Sequence, residues 1–122
     1  MRTSRFLLFL ALVCAPTISS AKAVKIGVGA QTCAKFAQDY AVDTRVEETY
    51  YTWAQGFISS QNLTHSANHG EGSEVDLVPE GVTEAWHKSV IREYCALNPL
   101  KPYTMAVLVL MQKLAEESAR GK

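Results

Sequence analysis

"YYTWAQGFISSQN", Tyr50 to Asn62, decides how this chain is built. Tyr50, Trp53 and Phe57 continue a stripe that starts at Val46 and ends at Ser60 or Gln61, with Ala54 and Ile58 widening it, which is the spacing of one helical face. Thr44 and Glu47 have capping-box spacing just ahead of the pattern. A helix is therefore expected from there to about Gln61. Gly56 stands inside it, at a cost of about 1 kcal/mol against alanine. Glycine admits a close neighbour where any Cβ would clash, so Trp53, Gly56 and Phe57 read as a helix-packing notch, two large rings flanking a gap. Tyr51 falls off the stripe and reads as an exposed aromatic, a modest hint of a protein contact.

Three further helical patterns surround this one. Cys33, Phe36, Ala37 and Tyr40 share a face, with Thr32 as N-cap. A third pattern starts near Thr83 and turns Trp86, Val90, Ile91, Tyr94, Cys95 and Leu97 inward, until Asn98-Pro99 stops it. Pro102 suits the first turn of a fourth helix. "YTMAVLVLMQKL" (Tyr103–Leu114) is apolar on nearly every side. Such a helix is central, or it turns one face to a partner chain, so it also suits a homodimer. Glu116 onward reads as a solvated tail. Between the second and third patterns, residues 62–79 ("NLTHSANHGEGSEVDLVP") are polar and without period, and read as a long loop. Strand-like alternation is nearly absent. The fold class is all-α, a small four-helix domain.

The first 23 residues stand apart. Arg2 and Arg5 precede the apolar run Phe6–Ala15, and "AKA" at 21–23 supplies a cleavage site, the order of a secretory signal peptide. The run is shorter than a membrane span of roughly 20 residues. Cleavage after Ala23 leaves residues 24–122 as one helical domain, periplasmic or secreted, with no membrane segment. Losing Arg2, Arg5 and Lys22 leaves nine basic against twelve acidic residues. The scattered basic residues exclude the footprint of nucleic-acid binding. Cys14 departs as well, so Cys33 and Cys95 remain as a pair. In an exported domain of this size two cysteines form a disulfide, and closing a loop of about 63 residues stabilises by roughly 4 kcal/mol.

No constellation announces catalysis. His65 and His69 are four apart, with Glu71, Glu74 and Asp76 following and His87 further on. Imidazoles and carboxylates hold zinc or copper, but i, i+4 ligands share a face only in a helix, and "HSANHGEGSE" reads as a solvated loop. The expectation is no metal and no cofactor. These histidines are still the side chains whose ordinary pKa lies near 6.5. "GVGAQT" (Gly27–Thr32) lacks the third glycine and strand context of a phosphate loop and reads as a flexible lead-in. "NLT" at Asn62 matches a glycosylation acceptor in form.

The half from Val78 to Leu114 resembles the Tai-type immunity proteins of type VI secretion, in its Pro-x-Gly-Val-Thr start, its helix ending in x-Pro and its final Ala- and Leu-bearing helix. Pro79, Gly81, Val82, Thr83, Pro99 and Ala106 carry that resemblance, while Val78 stands where the family has a cysteine. It implies a protein that neutralises a secreted toxin by binding it, and no enzymatic activity. A second resemblance is to the periplasmic acid-stress chaperones HdeA and HdeB, through "CAKF" (Cys33–Phe36), the Gly56-Phe57 pair and a cysteine ahead of the last helix. It implies a partner of a different kind, an unfolded client held in acid.

Overall fold

The computed structural model describes residues 27–121. The expected signal peptide and the first three residues of the lead-in lie outside them. A 3-10 turn at Val28–Ala30 leads into four helices: α1 (Cys33–Val42), α2 (Val46–His69), α3 (Glu84–Leu97) and α4 (Tyr103–Arg120). Cys33 and Cys95 are joined by a disulfide, their Cα atoms 4.7 Å apart. The expectation of a stapled four-helix domain agrees with this structure.

The staple is one part of a larger joint. The first amides of a helix have no partner inside it. In α1 these donors reach across to the α3–α4 turn: Cys33 N–H donates to the Lys101 carbonyl at 2.8 Å and Ala34 N–H to the Pro99 carbonyl at 2.9 Å. In return the Tyr103 amide, first in α4, donates to the Gln31 carbonyl at 2.8 Å. Two helix N-termini thus complete each other's hydrogen bonding beside the disulfide. Thr32 Oγ1 accepts from the Lys35 amide, as expected of an N-cap. Thr83 caps α3 in the same way, at 3.2 Å from the Trp86 amide.

The helix α2 departs from expectation at both ends. Thr44 is not its side-chain cap. The chain turns through Asp43, whose carboxylate accepts the Arg45 amide at 2.9 Å, and Glu47 pairs with Arg92 on α3 instead. At the far end α2 passes Gln61 and continues to His69, where Gly70 breaks it at φ +95°. The loop expected over 62–79 is therefore the shorter segment 70–83. Asn62 accounts for the extension. Its side chain donates to the Val75 carbonyl at 2.8 Å and accepts from the Val75 amide at 3.1 Å, so the returning chain is held against the last turns of α2. Val75 and Leu77 then pack on the core. Gly81, at φ +80°, closes the turn in which the Val82 amide donates to the Pro79 carbonyl; that conformation favours glycine.

Phe36 of α1, Tyr50 of α2 and Tyr103 of α4 meet at the centre with ring centroids 4.9–5.2 Å apart. Beneath them α4 contributes Ala106, Val107, Leu110 and Leu114, all fully buried. It is the central helix, and it runs to Arg120, so the tail expected from Glu116 is helical; Ser118 bonds back to the Asp76 carbonyl. Leu97, expected inside, is 76% exposed at the end of α3.

Gly56 is not a notch. It is exposed, and a Cβ built on it meets nothing within 4 Å; nothing in the structure explains a glycine there. Trp53 and Phe57 do stack, 5.3 Å apart and 15° from parallel, but the gap beside them belongs to Gly29. A Cβ on Gly29 would lie 2.0 Å from the Trp53 ring, and the Gly29 carbonyl accepts the Thr104 hydroxyl. The lead-in at 27–30 is thus a packed element, clamped between α2 and α4.

Two alanine substitutions separate these glycines. Gly56→Ala should stabilise the fold by about 0.5–1 kcal/mol through helix propensity. Gly29→Ala should destabilise it by about 1–3 kcal/mol, because Trp53 has to move. Urea titration of both variants checks the pair, and a destabilising Gly56→Ala would restore the notch.

Candidate functional site

The seam between α2 and α3 changes from charged to buried along its length. Arg92 pairs with Glu47, and Lys88 bridges Glu48 and Glu84 at 2.5 Å each. Those carboxylates hold the Lys88 ammonium above its ordinary range. The same ammonium sits 5.0 Å above the centre of the Tyr51 ring, within cation–π reach. Beneath it Tyr51 and His87 form the buried polar pair of the domain, with 2.7 Å between the hydroxyl and Nδ1. Tyr51 is therefore not the exposed aromatic the stripe implied; it is 4% exposed.

Burial pushes the Tyr51 hydroxyl up and the His87 imidazole down from their ordinary pKa values, the latter opposed by the nearby Glu84 carboxylate. Both effects favour neutral groups, which suits a hydrogen bond inside a core. Whichever nitrogen carries the ring proton, His87 Nε2 is shut off from solvent with no partner. An unpaired buried polar atom costs about 1–3 kcal/mol. Next to the pair lies a half-open cavity of about 140 Å³, walled by Tyr51, Gln55, Ile58, Leu77, His87 and Leu114.

A second feature lies at the stapled end. Leu97 and Leu100 flank the α3–α4 turn, 76% and 88% exposed, and Met105 and Leu108 are also exposed on the first turns of α4. Val109 and Tyr94 line the shallow groove between the two helices with Leu97, and Glu93 and Lys113 stand at its rim. Four of the seven exposed large apolar side chains of the described residues thus lie between the end of α3 and the second turn of α4.

The remaining residues singled out in the sequence serve the fold. Pro79 is buried, Gly81 and Val82 form the turn before α3, and Thr83 caps that helix. Pro99 supplies a carbonyl to α1, and Ala106 lies at the centre of the core. They occupy both ends of α3 and the first turn of α4, and do not converge on one surface. His65 and His69 lie on helix α2 after all, one turn apart, and not in a loop. Comparison with protein-family models, with curated proteins and with solved structures gives no match for this chain.

The buried imidazole sets a pH dependence. Its folded pKa is depressed below 6.5, so the unfolded chain takes up the proton first. The stability of the neutral core is present above about pH 6.5 and is lost as pH falls from there through the folded pKa. His87→Gln keeps a polar partner for Tyr51 and removes the titration. Melting temperatures between pH 7.5 and 5 should fall more steeply for the native chain than for the variant; parallel curves would show that His87 does not titrate on unfolding.

Proposed function

We propose that the protein acts by binding another protein, as an immunity protein that captures a secreted toxin. The observation that carries this reading is the apolar end formed by Leu97, Leu100, Met105 and Leu108. Those side chains stand on the stapled joint, the most constrained part of the domain. A surface held in one conformation before contact loses little entropy on association. Leu97 also lines the shallow α3–α4 groove together with Glu93 and Lys113, and apolar side chains beside charged ones are the composition of a specific interface. The Tai-like residues at Pro79–Thr83, Pro99 and Ala106 support the reading by building the elements that present this surface.

A second reading, an acid-activated chaperone of the HdeA type, has its own observation. The neutral His87 becomes unfavourable below about pH 6.5. Further down, the corner between α1 and α2 depends on carboxylates. Lys35, then Tyr50, hold Asp39 below the usual carboxylate range, and Arg45 does the same to Asp43. Their contribution is present above about pH 3.8 and is lost as pH falls through the lowered values. Acid thus loosens the α2–α3 seam first and the α1–α2 corner afterwards.

The immunity reading predicts protection and tight binding at neutral pH. The gene should lie beside one for an exported toxin, and its product should restore growth to cells making that toxin in the periplasm. Leu97→Glu combined with Leu108→Glu should weaken binding at least about 100-fold, the loss of two anchors of roughly 1.4 kcal/mol or more each, with the melting temperature unchanged. Failure to protect, together with suppression of aggregation of unrelated proteins at about pH 2–3 where native packing is lost, would replace it with the chaperone reading.

A further inference from the structure

The last turns of α2 place His65 and His69 on one face, both exposed, with ring centroids 4.1 Å apart and planes 20° from parallel. We propose that this pair chelates a borderline divalent transition ion of the zinc and copper class. Imidazole nitrogens suit these ions, and two of them at i, i+4 on a helix form the bidentate half of known zinc sites. Ligand bonds of about 2.0–2.1 Å place two nitrogens of one coordination sphere roughly 3 Å apart. As placed, the near-parallel rings aim their in-plane lone pairs side by side; rotation of both exposed side chains about χ1 and χ2 opens the stack and turns them toward one ion without moving the helix.

Two further observations favour a cation here. His69 Nδ1 lies 3.0 Å from the His65 carbonyl. A carbonyl only accepts, so Nδ1 carries the proton and donates it, which leaves the lone pair on Nε2. This is the second contact that metal-binding histidines ordinarily make, and it selects the ligating tautomer before the metal arrives. The pair also sits in the closing turn of a 24-residue helix, where the carbonyl end of the helix favours positive charge.

Among the described residues no third histidine, cysteine or carboxylate joins the two. Glu74 is held at the Gly72 amide, 2.8 Å away, and by Ser66. The ion therefore keeps water in its other positions, and the adjoining groove of about 280 Å³ has room for it. Such a chelate ties residues 65 and 69 together at the point where α2 gives way to the 70–83 segment, so metal should raise the thermal stability of the chain.

Calorimetric titration of the full, disulfide-intact chain with Zn²⁺ at pH 7.5 tests this. One ion per chain is expected, with a rise in melting temperature that grows with Zn²⁺ concentration. His65→Ala and His69→Ala should each weaken binding at least about tenfold and abolish the rise, while His87→Gln leaves both unchanged. No heat at millimolar Zn²⁺, or one-to-one binding that survives both alanine substitutions, would overturn the proposal. Circular dichroism confirms that the variants, changed only at exposed positions, remain folded.

Discussion

The structure depends on a joint in which covalent and hydrogen-bonded ties coincide. The Cys33–Cys95 bridge brings the start of α1 to the end of α3, but a sulfur bridge alone allows rotation about itself. The exchange of backbone bonds among Gln31, Cys33, Ala34, Pro99, Lys101 and Tyr103 fixes the angle. It also solves a local problem, since the amides at the start of α1 have no partner inside the helix. The bridge stabilises mainly by restricting the unfolded chain, and the amide exchange acts in the folded state. Each makes the other more effective.

From that joint the order spreads through aromatic rings. Phe36 is one turn from Cys33, and Tyr103 directly follows the α3–α4 turn, so the two rings that meet Tyr50 are both set by the staple. Burial and the Asp39 hydrogen bond push the Tyr50 hydroxyl up to about 12, so it stays a neutral donor to Asp39. Trp53 extends the ring group to the lead-in and lies on Gly29. The outer seam is held differently, by the Lys88 and Arg92 ion pairs. Each of these pairs has one partner largely withdrawn from solvent, Lys88 or Glu47, and the buried Tyr51–His87 bond lies beneath them. The domain thus has a firm end and a softer, titratable flank.

Much of this was legible in the residues, for local reasons. Thr32 and Thr83 cap helices because a short hydroxyl side chain ahead of a periodic run has an amide within reach. Pro99 ends α3 by sterics alone, and the apolar breadth of α4 identified the central helix. The parts that misled were governed by tertiary contacts. Asn, Thr, His and Ser are mediocre helix formers, and what keeps them helical after Gln61 is the bond from Asn62 to a residue thirteen positions on. Gly56 drew attention because it interrupts a stripe, whereas Gly29, the glycine that cannot carry a side chain, sits in a segment with no period. Tyr51, Ala54 and Ile58 form a second stripe at helical spacing. Read as widening for Tyr50 and Trp53, that stripe hid the tyrosine facing His87. The apolar end was visible only as a surplus of leucines, since Leu97 is exposed by the place where α3 stops.

The ring closed by Cys33 and Cys95 contains all of the 70–83 segment, while α4 lies outside it. A protease that cut once, at exposed Gly70 or at Gly72, would therefore release no fragment. The pieces would stay covalently joined through sulfur, and Asn62 would still grip one of the new ends through Val75. Non-reducing gel electrophoresis would conceal the cut, and reduction would reveal it. That connectivity turns a single scission in an exposed stretch into a tolerable injury.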